Sequence, residues 1–182
     1  MTQLYMIAIL PPPYLSSKVD LIRRKCADKF HVYKALLPPV HITILPPVEW
    51  EIDLQDKLIL TLNAARYMEP FQITLQNFGQ FPHKAIFIDV KGDGILGLYR
   101  KIKKVLNNTN KDYKSKISPH ITIAYRDVEE KFEEIWSDFE NQVFDAEFCV
   151  DGFTLLKHNG KGWEILKEYK FQRADKQSEF RF

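Results

Sequence analysis

Apolar residues in this chain recur with two different periods, and the order in which the periods occur is repeated. Residues 4–10 form an apolar run that predicts a buried strand, and after three prolines residues 15–30 predict a helix. A strand at 39–45, a helix at 53–68 and a strand at 71–78 follow. The stripes that predict the two helices are Leu15, Val19, Ile22, Cys26 and Phe30, and Leu54, Leu58, Leu62 and Ala65.

The second half of the chain repeats this order of elements. A strand at 84–90 leads through a Gly-Asp-Gly turn into a helix, and a polar loop precedes a strand at 118–125. A last helix and two long strands, at 144–156 and 163–171, follow. The helical stripes here are Ile95, Leu98, Ile102 and Val105, and Val128, Phe132, Ile135 and Phe139. Because no flexible linker separates the copies, the sequence predicts one α+β domain over residues 1–182, built of two related lobes.

Two short patterns indicate where helices begin. Ser17 is followed three residues later by Asp20, and Asp127 is followed at the same spacing by Glu130. A Ser or Asp followed at this spacing by an acidic residue resembles the capping box of a helix N-terminus. Ser17 with Asp20 is therefore a candidate cap for the helix at 15–30, and Asp127 with Glu130 is a candidate cap for the last helix.

The tetrapeptide His-Ile-Thr-Ile occurs once in each copy of the repeat, at residues 41–44 and 120–123. Side chains alternate between the two faces of a strand, so each histidine shares a face with its threonine and the isoleucines occupy the other. The isoleucines then anchor each strand in the core of a lobe. If the lobes pack about a pseudo-two-fold axis, the two imidazoles face each other across a cleft.

Two histidines and two threonines in this arrangement suffice for displacement at a phosphodiester. Histidine donates or accepts a proton near neutral pH, so a pair supplies a general base and a general acid. Threonine hydroxyls donate to phosphoryl oxygens and stabilise the charge that develops there. The sequence has no H-x-H, H-E-x-x-H or G-x-S-x-G motif. We expect catalysis without a metal and without a cofactor.

The paired H-x-T-x motifs in a duplicated α+β unit, together with the opening LYMIAILPPP, resemble the two-histidine (2H) phosphoesterase superfamily. Its bacterial branch, the LigT-like or 2'-5' RNA ligase family, is the most similar. The resemblance implies a bilobal fold around a central cleft and metal-independent action on RNA-type phosphodiesters. It also implies that His41 and His120 are the acid and base and that Thr43 and Thr122 hold the phosphate.

Two residues after the second motif are candidates for substrate binding. Strand alternation places Arg126 on the face of His120, provided that the strand extends to it, where it would contact a phosphate or serve only as a cap or solvated surface residue. The same count places Tyr125 on the core face, although aromatic residues beside such clefts often stack on bases.

Composition limits the partners. With 45% hydrophobic and 27% charged residues the chain is typical of a globular protein, and its formal net charge of +2 is too small for a duplex-DNA footprint. The expected partner is a small nucleotide or short RNA. The apolar run at 4–10 is too short to span a membrane. We interpret Cys26 and Cys149 as reduced core residues and expect a cytoplasmic monomer.

Three functional hypotheses remain open. The first is a phosphodiesterase or cyclic phosphodiesterase that acts on RNA ends or on small cyclic or 2'-5'-linked nucleotides. The second is a nucleotide-binding or RNA-binding module that kept the cleft without turnover, because a site can outlast its reaction. The third is an ATP-independent 2'-5' RNA ligase, which runs the first reaction in reverse.

Overall fold

The structure is a computed structural model and describes residues 1–107 and 117–173. Most of the polar loop predicted before the second motif lies outside these residues. The described strands and α-helices, in chain order, are β1 (Thr2–Ile9), α1 (Pro13–Phe30), β2 (Ile42–Glu51), α2 (Gln55–Asn63), β3 (Phe71–Phe81), β4 (Ala85–Lys91), α3 (Asp93–Asn107), β5 (His120–Tyr125), α4 (Phe132–Phe139), β6 (Asp145–Val150), β7 (Gly152–His158) and β8 (Trp163–Lys170).

The described strands form one antiparallel sheet in the order β6-β3-β4-β5-β2-β1-β7-β8. The order is symmetric about the central pair of β5 and β2, the two strands that carry the motifs. Each motif strand lies beside the strand that precedes it in the chain, β4 or β1, and the connection is a helix, α3 or α1. The first lobe consists of β2, β1, β7 and β8, and the second of β5, β4, β3 and β6. The α+β fold with two pseudo-symmetric lobes is therefore confirmed.

The helices cover one face of the sheet, where the motif isoleucines are buried. Ile42, Ile44, Ile121 and Ile123 are at most 1% exposed and belong to the main apolar core. Full burial of such a side chain contributes about 1.5–3 kcal/mol. The alternation predicted from the sequence thus determines which face of each motif strand points into the core, because a shift by one residue would expose these isoleucines.

The sheet is curled, so that its outer strands approach each other. The sequence predicts a single strand over 144–156, and this prediction is wrong, since Asp151 alone separates β6 from β7, which belong to different lobes. Gly152 permits the close approach there, because a Cβ at this position would lie 2.4 Å from the carbonyl oxygen of Tyr169. Periodicity does not detect the break, because apolar residues continue on both sides of it.

Neither of the two candidate capping boxes forms. Helix α1 begins at Pro13, whose ring fixes φ for the first helical position, and no side chain caps it. Helix α4 begins at Phe132 without a side-chain cap. Oδ2 of Asp127 instead accepts hydrogen bonds from the backbone N–H groups of Tyr33 and Lys34, at 2.7 and 3.0 Å. Asp127 thereby joins the end of the second motif to the segment before the first.

The two cysteines differ in their surroundings. Cys26 is buried on α1, as predicted, whereas Cys149 is exposed on β6, and both are free. Cys149 occupies an exposed position of an outer strand, so its interpretation as a core residue is wrong. None of the helices in the described ranges has the length and apolarity needed to cross a lipid bilayer.

Candidate active site

The two motifs meet at the centre of the sheet. Ile42 of β2 pairs with Ile121 of β5 in antiparallel register. This register places the residue before one isoleucine opposite the residue after the other, so that His41 lies beside Thr122 and Thr43 beside His120. Such cross-strand neighbours have Cβ atoms about 4.5–5.5 Å apart. Each histidine is therefore adjacent to the threonine of the other motif.

The four side chains are half-buried on the face of the sheet that the helices leave uncovered. The isoleucines between them point into the core on the opposite face. The structure therefore brings together the two histidines and two threonines of the motifs. The two motifs are related by a local two-fold arrangement about Ile42 and Ile121. Their catalytic and phosphate-binding roles remain predictions.

Both imidazoles are oriented by a carbonyl group two residues earlier in the chain. Nδ1 of His41 lies 2.7 Å from the carbonyl oxygen of Pro39, and Nδ1 of His120 lies 2.7 Å from that of Ser118. A carbonyl oxygen only accepts hydrogen bonds, so each Nδ1 carries a proton. This leaves Nε2 of each ring as the atom that accepts or donates a proton toward a ligand.

A buried arginine supports the segment that precedes His41. Arg23 of α1 is 2% exposed, and its Nη2 donates to the carbonyl oxygens of Pro38, at 2.9 Å, and of Ala35. Arg23 was not among the residues predicted from the sequence to belong to the site. Arg23 lies four residues after Val19 and three before Cys26, on the buried stripe of the helix. This spacing could have indicated that the arginine is buried.

The environment of His41 favours a neutral ring. Burial lowers the pKa of His41 to about 4, and the positive charges of Arg23 and His120 act in the same direction against the hydrogen bond to Pro39. A neutral imidazole with a free Nε2 lone pair is suited to accept a proton from an attacking hydroxyl group.

His120 has different neighbours. Burial lowers its pKa, while the hydrogen bond to Ser118 and the carboxylate of Asp89 raise it. Asp89 pairs with His120 across β4 and β5, and the rings of Phe81 and Phe87 lie 5.3 and 5.1 Å from the imidazole. On the other side of the pseudo-two-fold axis, Ile9 pairs with Ile42, so the residue beside His41 is Leu10. Among the residues that the structure describes, the cross-strand neighbour of His120 is thus a carboxylate and that of His41 is apolar.

A bulge in β5 changes the position of Tyr125. The register between β4 and β5 shifts so that Phe87 faces Thr122 but Ile86 faces Ala124. Tyr125 therefore pairs with Ala85 on the face of His120 and is 41% exposed, and its predicted place on the core face is wrong. Strand alternation failed because it assumes a regular strand.

Arg126 lies beyond the end of β5, so the condition for its predicted placement is not met. Its backbone has a φ of 71°, and its guanidinium group lies 5.1 Å from the centre of the Tyr125 ring. Such a contact between a cation and an aromatic face contributes about 0.5–1 kcal/mol at exposed sites. Tyr125 and Arg126 form one exposed unit at the rim of the motif face.

Asp89 and Phe87 are the neighbours of His120 that sequence reasoning missed. Both lie in the predicted strand at 84–90, on its less buried face, whereas Ile86, Ile88 and Val90 point into the core. The alternation was visible in the sequence. The alternation does not show which strand lies next to β4, because that depends on the order of the strands in the sheet.

Residues 92–97 match the G-x-G-x-x-G pattern of dinucleotide-binding turns, which was also missed. Packing explains one of these glycines directly. A Cβ at Gly94 would lie 2.1 Å from Cγ of Phe71, so the ring of Phe71 fills the space beside this turn. The turn leads into α3 on the side of the sheet opposite the motifs. In the part of the chain that the structure describes, no three His, Cys, Asp or Glu side chains cluster as metal ligands.

A model of the 2'-5' RNA ligase superfamily matches residues 11–162. The chain belongs to the 2'-5' RNA ligase superfamily. The resemblance to LigT-like phosphoesterases is thereby confirmed.

The chain is also similar to three known proteins, one in sequence and two in fold. A protein of Oceanobacillus iheyensis with the provisional name of a phosphoesterase is 24% identical over 174 residues, covering 93% of this chain and 98% of its own. The protein TT0787 of Thermus thermophilus has a TM-score of 0.70 at 19% identity, covering 94% of this chain and 99% of its own. LigT of E. coli in complex with 3'-AMP also has a TM-score of 0.70, at 18% identity over 95% of this chain and 100% of its own. The structural similarities establish the fold.

Proposed function

We propose that this member of the 2'-5' RNA ligase superfamily is a phosphodiesterase that acts on RNA ends or on small cyclic or 2'-5'-linked nucleotides. The observation that carries the proposal is the pairing of Ile42 with Ile121, which places His41 beside Thr122 and His120 beside Thr43. A phosphoryl group between the two imidazoles is then within reach of a base, an acid and two hydroxyl donors. The complex of E. coli LigT with 3'-AMP is consistent with a nucleotide ligand for this fold.

The proposed step is an in-line displacement at phosphorus. Nε2 of His41 removes a proton from the attacking hydroxyl group, which is water or the neighbouring ribose hydroxyl of the substrate. The bond from this oxygen to phosphorus forms while the bond to the leaving oxygen breaks, and Nε2 of His120 donates a proton to the leaving oxygen. Thr43 and Thr122 donate to the non-bridging oxygens as their charge develops. Solvent then removes the proton from His41 and returns one to His120.

The assignment of base and acid rests on the neighbours of the two histidines. Burial lowers the pKa of both histidines, but Asp89 opposes this effect at His120, whereas the charge of Arg23 lowers the pKa of His41 further. We therefore propose that His41 is the base and His120 the acid in cleavage. In ligation the roles exchange by microscopic reversibility, so an ATP-independent ligase would use the same groups.

The experiment that tests the proposal is turnover of a substrate panel. The purified protein is incubated with 2',3'-cyclic nucleotides, 2'-5' oligoadenylate and cyclic oligonucleotides, and the products are identified by mass spectrometry and ³¹P NMR. We expect cleavage of at least one substrate, lost by roughly a hundredfold or more in a folded His41→Ala variant. Binding of nucleotides without turnover of any substrate would instead favour the catalytically idle module.

A further inference from the structure

The motif face continues past His120 into an open groove over β3 and β4, which we call the β3–β4 groove. Its volume is about 470 Å³, within the range of small-molecule sites. Among the residues that line it are Gln76, Asn77, Gly79, Phe87, Asp89 and Lys91.

The β3–β4 groove begins directly beside the second motif. Phe87 pairs with Thr122 and Asp89 with His120 across β4 and β5. The ring of Phe87 lies 5.1 Å from the imidazole of His120. A ligand whose phosphate lies at the histidines would therefore enter the groove on the His120 side, which is the side of the leaving oxygen in the proposed step.

The ring of Phe87 is held in a fixed place at this junction. It lies over Gly79 of the neighbouring strand, where a Cβ would be only 2.6 Å from Cε2 of the ring. The ring of Phe81 packs against it with a centroid distance of 4.6 Å. A half-buried ring with little freedom to rotate is a suitable surface for stacking a nucleobase.

The charges of the β3–β4 groove favour a neutral polar ligand over a second phosphate. Nζ of Lys91 donates to Oε1 of Gln76 at 3.0 Å and lies 4.0 Å from Oδ2 of Asp89. The single ammonium group is thus balanced by a carboxylate. The other polar side chains that line the groove are the amides of Gln76, Asn77 and Gln80, which can pair with the donors and acceptors of a base edge or a ribose.

The corresponding surface of the first lobe is closed. Met6, Ala8 and Leu156 are at most 4% exposed and form a separate apolar cluster, against which Leu10 and Trp163 pack. The two sides of the motif pair therefore differ, and the open polar side is that of His120.

We propose that the β3–β4 groove binds the nucleoside attached to the leaving oxygen of the phosphodiester. This inference rests on the proposed function, because it takes the phosphate to lie between His41 and His120. The preferred substrate then carries a nucleoside on the leaving side, as in a 2'-5'-linked dinucleotide or a longer RNA end.

Two substrates that differ only on the leaving side test this inference. Adenylyl-(2'→5')-adenosine loses adenosine, and adenosine 2'-(p-nitrophenyl phosphate) loses p-nitrophenol from the same attacked nucleotide. In Gln76→Ala the ratio of kcat/KM for the first substrate to that for the second should fall roughly fivefold, since a hydrogen bond to the leaving nucleoside is lost. Gln72→Ala is the matched control, because Gln72 is an exposed residue of the same strand outside the groove lining, and the ratio should not change.

A binding measurement separates failure of this inference from failure of the proposed function. Adenosine is titrated into the ¹⁵N-labelled wild-type protein, and we expect shifts of the backbone amides of Asn77 and Gly79 and of the Gln76 side-chain amide. Shifts confined to the first lobe, or an equal ratio of kcat/KM in both glutamine variants, would overturn the groove assignment while leaving the phosphodiesterase intact. If the wild type cleaves neither substrate nor any of the panel, the proposed function is wrong and the titration alone decides whether the groove binds a nucleoside.

Discussion

At the scale of single residues, the two histidines have identical backbone partners and different neighbours across the sheet. Both Nδ1 atoms are held by a carbonyl group at 2.7 Å, so the pair is equivalent in tautomer and orientation. The difference arises one strand away, where Asp89 lies beside His120 and Leu10 beside His41. The carboxylate of Asp89 therefore makes the surroundings of the two histidines unequal, and the proposed roles of acid and base rest on this difference.

The first prediction concerns this carboxylate. Burial lowers the pKa of His120 and Asp89 opposes this effect, so Asp89→Asn should lower that pKa further and deprotonate the acid at a lower pH. The alkaline limb of the kcat/KM profile should move to lower pH, while the acid limb, which reflects protonation of the base, stays in place. Glu147→Gln is the control, because it removes a carboxylate from β6, three strands from β5. An unshifted alkaline limb in a folded Asp89→Asn variant would show that Asp89 does not act on the acid.

The second prediction separates the acid from the base. A p-nitrophenolate leaves without protonation, so the acid matters little for a p-nitrophenyl ester and much for a nucleoside leaving group. His120→Ala should lose roughly a hundredfold in kcat/KM on adenylyl-(2'→5')-adenosine and much less on adenosine 2'-(p-nitrophenyl phosphate). His41→Ala should lose activity on both substrates. The reverse pattern would exchange the two roles.

At the scale of elements, regular segments were predictable and irregular ones were not. The motif strands and their buried isoleucines follow from strict alternation, since only one register buries all four. Tyr125 was misplaced because the bulge in β5 interrupts the alternation, and the chain break at Asp151 was missed because apolar residues continue across it. Neighbour relations, such as that of Asp89 with His120, depend on the strand order, which periodicity within one segment does not contain.

The third prediction tests the central strand pair as an element. Ile42 is 0% exposed at the contact between the lobes, so Ile42→Ala should lower the free energy of unfolding by about 2–5 kcal/mol through lost burial and a cavity. Urea denaturation monitored by circular dichroism measures this change. Ile165→Ala is the control on β8, where the side chain is 54% exposed, and should change the free energy by about 0.5 kcal/mol or less. Equal effects in the two variants would mean that the β2–β5 pair is not a stabilising contact.

At the scale of the whole molecule, each of the two lobes contributes one motif, and the two motifs are neighbours only when both lobes are in place. Asp127 fastens the end of β5 to the backbone of Tyr33 and Lys34, and Lys131 donates to the carbonyl oxygen of Phe30 at 2.9 Å. These contacts join the two lobes on the helix side of the motifs. The site is therefore coupled to global folding, and its half-buried histidines contribute to the pH dependence of the free energy of unfolding.

The last prediction follows from that coupling. The folded protein holds the pKa of His41 at about 4, below the usual value of 6.5 that applies in the unfolded chain. Between these values the unfolded chain binds more protons than the folded one, so the free energy of unfolding falls as pH decreases from 6.5 toward 4. His41→Gln removes the titrating group and should flatten this part of the curve, measured as urea midpoints at fixed pH. His31→Gln, which removes an exposed histidine at the end of α1, should keep the wild-type slope. An unchanged slope in His41→Gln would show that the ring is not held neutral by its surroundings, and the assignment of His41 as the base would lose its electrostatic support.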